Sequence, residues 1–131
     1  MPHKLLDAAT PADSRETERF IALVADKLAA TDRLFRECLA SDVPFIQKSG
    51  EYIFDGGGKR MRPALLLLCA RLLDRDGEEE VTYAAVVELI HTATLIHDDI
   101  IDHSALRRGR KTINELWGNN LTVLLGDWLY T

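Results

Sequence analysis

From Val86 the chain runs through apolar residues at helical spacing (Val86, Val87, Leu89, Ile90, Leu95 and Ile96) and ends on three carboxylates, Asp98, Asp99 and Asp102. A helix that is apolar over this much of its surface has to pack inside a fold, and buried helices do not carry three acids without a partner. At about 100° per residue, Asp98 and Asp102 lie one turn apart on one face, and His91 falls two turns back on nearly the same face. Close carboxylates repel, and a shared proton or a shared cation relieves them. Oxygen ligands alone suit a hard divalent ion. Mg²⁺ fits best, because it binds through a few carboxylates and completes its shell with water and substrate phosphate. The bland alternative is a solvated acid cluster at a helix end.

Around this segment the sequence reads as helices only. Ser14 is a plausible N-cap, and Phe20, Ile21, Val24, Leu28, Leu34, Phe35 and Leu39 then recur at helical spacing, as one helix to about Ala40 or two joined near Thr31. Pro44 opens a short helix to about Tyr52. Ala64 to Leu73 is apolar nearly all round, which predicts a central, buried helix, and Thr82 begins the acid-ending helix. Glu88 lies inside it, as a partly buried acid hydrogen-bonded to a neighbour. Thr112 caps a short helix through Trp117, and Leu121 to Tyr130 forms a last apolar helix in which Gly126 marks close packing. The fold class is all-α, with residues 1–13 as a flexible arm and residues 14–131 in a single helical domain.

Composition narrows the function classes. The 131 residues are 47% hydrophobic with a net charge of −5, which suits a soluble core-bearing protein and disfavours nucleic acid and anionic membranes as partners. No transmembrane segment is predicted, since the longest apolar run, Ala64 to Ala70, is far too short to span a bilayer. The first residues lack an apolar signal region, so the expected location is cytoplasmic. Cys38 and Cys69 read as buried free thiols rather than as a disulfide framework.

Two basic stretches accompany the acids. Gly56-Gly57-Gly58-Lys59-Arg60-Met61-Arg62-Pro63 is a glycine loop running into a helix, where backbone amides and the cations Lys59 and Arg62 suit an anion. It is not a Walker loop, whose spacing and following Ser or Thr differ, and a hinge with solvated bases is the plain alternative. Arg107-Arg108-Gly109-Arg110-Lys111 follows the acids directly. Cations set immediately behind carboxylates are better explained by one polyanion held between them than by a solvated turn.

Taken together, Gly57 to Pro63, His91 to Asp102, Leu106 to Gly109 and Gly126 to Tyr130 resemble the N-terminal part of the trans-type polyprenyl diphosphate synthases, of the bacterial long-chain kind. The pattern runs from about residue 15 onward, and the motifs are specific in combination rather than singly. The resemblance implies a helical bundle of the isoprenoid synthase type. It implies that Asp98, Asp99 and Asp102 bind Mg²⁺ on an allylic prenyl diphosphate, that Lys59, Arg62 and His91 grip isopentenyl diphosphate, and that Arg107 and Arg108 contact the allylic and isopentenyl groups respectively. It also implies a homodimer and a chain-length pocket floored by Ala93 and Thr94, whose small size goes with long products. Such enzymes are usually more than twice this length and carry a second aspartate-rich motif that these residues lack. The expectation is therefore a fragment, inactive alone. A non-catalytic helical subunit that modulates a partner synthase is the alternative, and a metal-dependent phosphohydrolase is a weaker one, lacking further His and Asp residues.

Overall fold

The computed structural model describes residues 11–131, with side chains from residue 14 onward. Seven helices and one two-stranded hairpin follow in the order α1 (Pro11–Ala22), α2 (Ala25–Cys38), α3 (Pro44–Asp55), α4 (Met61–Leu72), α5 (Glu79–Ile101), β1 (Leu106–Arg107), β2 (Arg110–Lys111), α6 (Ile113–Trp117) and α7 (Asn119–Tyr130). The all-α expectation holds. Of the arm expected over residues 1–13, residues 1–10 lie outside the described residues, and 11–13 already belong to α1.

Helix α5 is the axle. Its 23 residues extend about 35 Å at 1.5 Å each, and α7, α4 and α2 pack along it. Two apolar clusters grow from those contacts. One gathers Phe35, Leu39, Ala93, Ile96, Ile113, Leu125 and Leu129, and the other gathers Val24, Leu67 and Ala84. Phe35 is 1% exposed, a burial that contributes roughly 2–3 kcal/mol. Ala84, Ala85 and Ala93 are all buried on α5. Their small side chains let neighbouring helices approach it closely.

Several boundaries differ from expectation. Ser14 lies inside α1 rather than capping it, and the first long helix breaks at Leu23–Val24, not near Thr31. Helix α5 starts at Glu79, three residues before Thr82. Helix α4 is not buried all round: Pro63, Ala64 and Leu67 face inward, while Leu65 is exposed and Leu72 is 85% exposed. An apolar sequence marks a helix that seeks cover, but the side it buries is decided by which neighbours are present. Cys38 and Cys69, expected inside, are both exposed free thiols, because each falls on the outward side of its helix. Among the described residues no helix is long and apolar enough to cross a membrane.

The loop behind the acids contains a structure that charge alone did not reveal. Leu106 pairs with Lys111 and Arg107 with Arg110 in an antiparallel hairpin, closed by Arg108 (φ 49°) and Gly109 (φ 75°). Two successive left-handed residues form the tight turn whose twist matches paired strands.

Candidate active site

A cavity of about 300 Å³ opens between α5, the glycine loop and the hairpin. From α5 it takes Glu88, His91, Thr92, Leu95, Ile96 and Asp99, a run of three- and four-residue steps that traces one helical face. Opposite stand Gly56, Gly57, Gly58, Lys59, Arg60 and Arg62, and the hairpin closes the side with Arg107, Arg108, Arg110 and Lys111. Lys59, Arg62, His91, Arg107 and Arg108, expected from sequence to bind diphosphate, thus line a single cavity. Three positions apart, Lys59 and Arg62 would point the same way if both lay on one helix. Lys59 instead precedes α4, and Arg60, the residue before Met61, takes a left-handed conformation at φ 50°.

The three carboxylates divide. Asp99 is 6% exposed and receives Arg107 through both its oxygens, with Nε at 3.1 Å from each and Nη2 at 2.7 Å from Oδ1. That fork-to-fork pairing lifts the Arg107 pKa further above its ordinary value, against the opposing pull of desolvation. The Arg107 side chain stays 41% exposed, so part of its guanidinium remains open to the cavity. The side chains of Asp98 and Asp102 are exposed and have no hydrogen bond or ion pair among the described residues, although the Asp102 backbone N–H donates to the Asp98 carbonyl at 2.8 Å. Among those residues no three His, Cys, Asp or Glu side chains converge on a common point, so the expected single cluster of three acids is not formed. The reason is helical phase, since adjacent residues point about 100° apart and Asp99 turns inward while its neighbours stay at the rim. The exposed pair, offering oxygens one turn apart, still fits a hard divalent ion that draws its remaining ligands from water and phosphate.

His91 has its pKa lowered, first by burial and then by the positive charge of Arg62, with Glu88 opposing. Its ring is therefore neutral at pH 7 and can donate one N–H. Glu88, 7% exposed, accepts from Arg60 Nη1 at 3.1 Å, as expected of a buried acid with a partner.

Tyr52, which had no role in the sequence reading, completes one wall. The Tyr52 hydroxyl donates to the Lys111 carbonyl at 2.7 Å, and its ring lies 4.1 Å beneath the Arg110 guanidinium. This contact offsets the repulsion between the cross-strand cations Arg107 and Arg110. Nothing in the sequence pairs Tyr52 with a loop some 59 positions away. Ala93 is fully buried among Ile96, Leu125 and Leu129, and Thr94 donates to the His91 carbonyl; neither lines the cavity. His97 sits between α5 and α7, near Asp127 and stacked on Tyr130, in a packing role. A Cβ on Gly126 would collide with that imidazole, which explains the glycine.

Comparison with known proteins places these features in context. A family model described as polyprenyl synthetase matches residues 43–131. Octaprenyl diphosphate synthase of Escherichia coli (strain K12) is 46% identical over 114 residues, covering 87% of this chain and 35% of that protein. An all-trans-nonaprenyl-diphosphate synthase (geranyl-diphosphate specific) of Rhodobacter capsulatus is 42% identical, covering 83% and 34%. A crystal structure of a polyprenyl synthase from Caulobacter crescentus CB15, complexed with calcium and isoprenyl diphosphate, superposes with a TM-score of 0.83 at 41% identity, covering 86% of this chain and 34% of that one. The chain spans about a third of the length of the curated relatives it matches.

Proposed function

Because this chain belongs to the polyprenyl synthetase family, we propose that it supplies the N-terminal part of the catalytic chamber of a trans-prenyltransferase. That enzyme condenses isopentenyl diphosphate with an allylic diphosphate into a long-chain trans-polyprenyl diphosphate. One observation carries the reading: Lys59, Arg62, His91, Arg107 and Arg108 line one cavity whose helix ends in the unpaired carboxylates Asp98 and Asp102.

Asp98 and Asp102 would hold Mg²⁺, which when bound neutralises charge on a departing diphosphate. Arg107, oriented by Asp99, donates to the allylic diphosphate oxygens as the C–O bond breaks and leaves an allylic carbocation. Lys59, Arg62, Arg108 and the neutral His91 hold isopentenyl diphosphate so that its double bond attacks that cation, after which a proton is lost. Leu95, Ile96, Ile53 and Ile113 give the cavity apolar surface that keeps water from the cation. No side-chain nucleophile is needed.

The long product is supported by the long-chain synthases to which the chain is similar, since Ala93 and Thr94, expected to floor a chain-length pocket, do not line this cavity. A net charge of −5 and the lack of a membrane-crossing helix among the described residues support a cytoplasmic location. Apolar side chains left exposed on α5 and α7, such as Tyr83 and Leu124, support a homodimer or another covering surface. The deciding experiment titrates farnesyl diphosphate with and without Mg²⁺ into wild type and Asp98→Ala. Metal-dependent binding in the first and its loss in the second is the expected result. Metal-independent binding, equal in both, overturns the assignment of the carboxylates.

A further inference from the structure

We propose that Arg60 is a positioning residue that sets the cationic wall of the cavity by locking the glycine loop onto α2, α3 and α5. The proposal rests on the diphosphate reading above and concerns how that site is built. Arg60 itself has little left to offer a ligand, because its side chain is only 12% exposed and its Nε and Nη1 donate to carboxylates of the protein. Nε donates to Asp32 Oδ1 of α2 at 2.7 Å, and Nη1 donates to Glu88 Oε1 of α5 at 3.1 Å. The guanidinium also lies over the rings of Phe35, at 4.9 Å, and Phe54 of α3, at 5.7 Å.

The backbone at the same residue is left-handed, at φ 50°. A side chain other than glycine adopts that conformation at a cost, and such a residue persists where its surroundings over-determine it. Here the surroundings are two carboxylates and two aromatic faces. The left-handed turn redirects the chain between Lys59 and Arg62, both exposed and both lining the cavity. Their relative placement therefore depends on residue 60 holding its conformation. Gly58 reports the same constraint independently, since a Cβ there would lie 3.1 Å from Arg60 Nη1 and 3.8 Å from Arg108 Nη1. The loop thus runs close against both the clamp and the hairpin.

Calorimetric titration of inorganic pyrophosphate into the chain tests this, with far-UV circular dichroism to confirm folding. Arg60→Met is expected to bind about tenfold more weakly than wild type, and Arg60→Lys, which retains one ion pair, to recover part of that loss. A double-mutant cycle with Lys59→Met separates positioning from bulk destabilisation. If Arg60 acts through its neighbour, Arg60→Met costs much less once Lys59 is gone, whereas independent effects add. Should Arg60→Met fail to fold, Glu88→Gln and Gly58→Ala disturb the same clamp more gently and are expected to weaken binding in the same direction. Unchanged affinity in the folded variants, or full additivity in the cycle, overturns the proposal while leaving the diphosphate reading intact. Wild type that does not bind pyrophosphate overturns both.

Discussion

The two sides of the cavity are built on the same device and finish it differently. On each, an arginine from outside α5 meets an acid buried on that helix: Arg60 with Glu88, and Arg107 with Asp99. Arg60 is enclosed, shared with Asp32 and covered by two rings, so its charge is spent within the protein. Arg107 is held by a single carboxylate and keeps much of its guanidinium open. The contrast teaches that one helical face can carry both a structural clamp and a presented cation, the difference being how many partners each guanidinium is given. Asp98 and Asp102, one residue before and three after Asp99, stay exposed because the helical turn directs only Asp99 inward.

The largest effect tests the closed side. Glu88→Ala strands a buried guanidinium with only Asp32 to answer it, and chemical denaturation should register a loss of about 3 kcal/mol. A loss below about 1 kcal/mol would mean that water screens Arg60 as fully as it screens a surface pair. On the open side, Asp99→Asn should cost only about 1 kcal/mol of stability, because Arg107 is half exposed and screened. Its stronger signature is pyrophosphate affinity, expected to fall as Arg107 loses its orientation. If stability and affinity fall equally on both sides, the distinction between clamp and presented cation disappears.

At the rim, Asp98→Ala and Asp102→Ala should each change stability by no more than about 0.5 kcal/mol. Each should nonetheless remove the Mg²⁺ dependence of farnesyl diphosphate binding. A clear drop in stability without metal would show that these acids are structural after all. The smallest effect belongs to His91. Its folded pKa is depressed below the ordinary 6.5, so its contribution to stability is fully present above that value and is lost as pH falls through the folded pKa. His91→Gln should flatten the decline in unfolding free energy below pH 6.5, and an unaltered profile would assign the decline to other groups.

Much of the site was legible before any coordinates. Asp98, Asp102, Lys59, Arg62, His91, Arg107 and Arg108 stand in short motifs whose residue types announce anion and cation chemistry. Asp99 was legible as an acid but not as the partner of Arg107, since a three-residue motif does not say which of its members turns inward. Tyr52 was missed, and Arg110 was read only as one of the clustered cations, because their contact with each other joins segments distant in sequence. Arg60 stood within a motif yet drew no role, since Asp32 and Glu88, each 28 positions away, give it one. Cys38, Cys69 and the outer side of α4 were misjudged for the converse reason: apolar character states a preference for burial, not the presence of a neighbour to satisfy it.

By itself the sequence determined that this chain is helical, that one helix ends in carboxylates, and that a glycine loop and an arginine loop each carry clustered cations. These follow from local periodicity and side-chain chemistry, which act over a turn or two of helix. Tertiary structure alone decided which acid is committed to an arginine, which arginine is enclosed, and which carboxylates remain open. Those outcomes depend on the rotation of α5 relative to loops distant in sequence. Burial turns an ordinary charge into one that must be answered by a partner, and only packing determines which charges are buried.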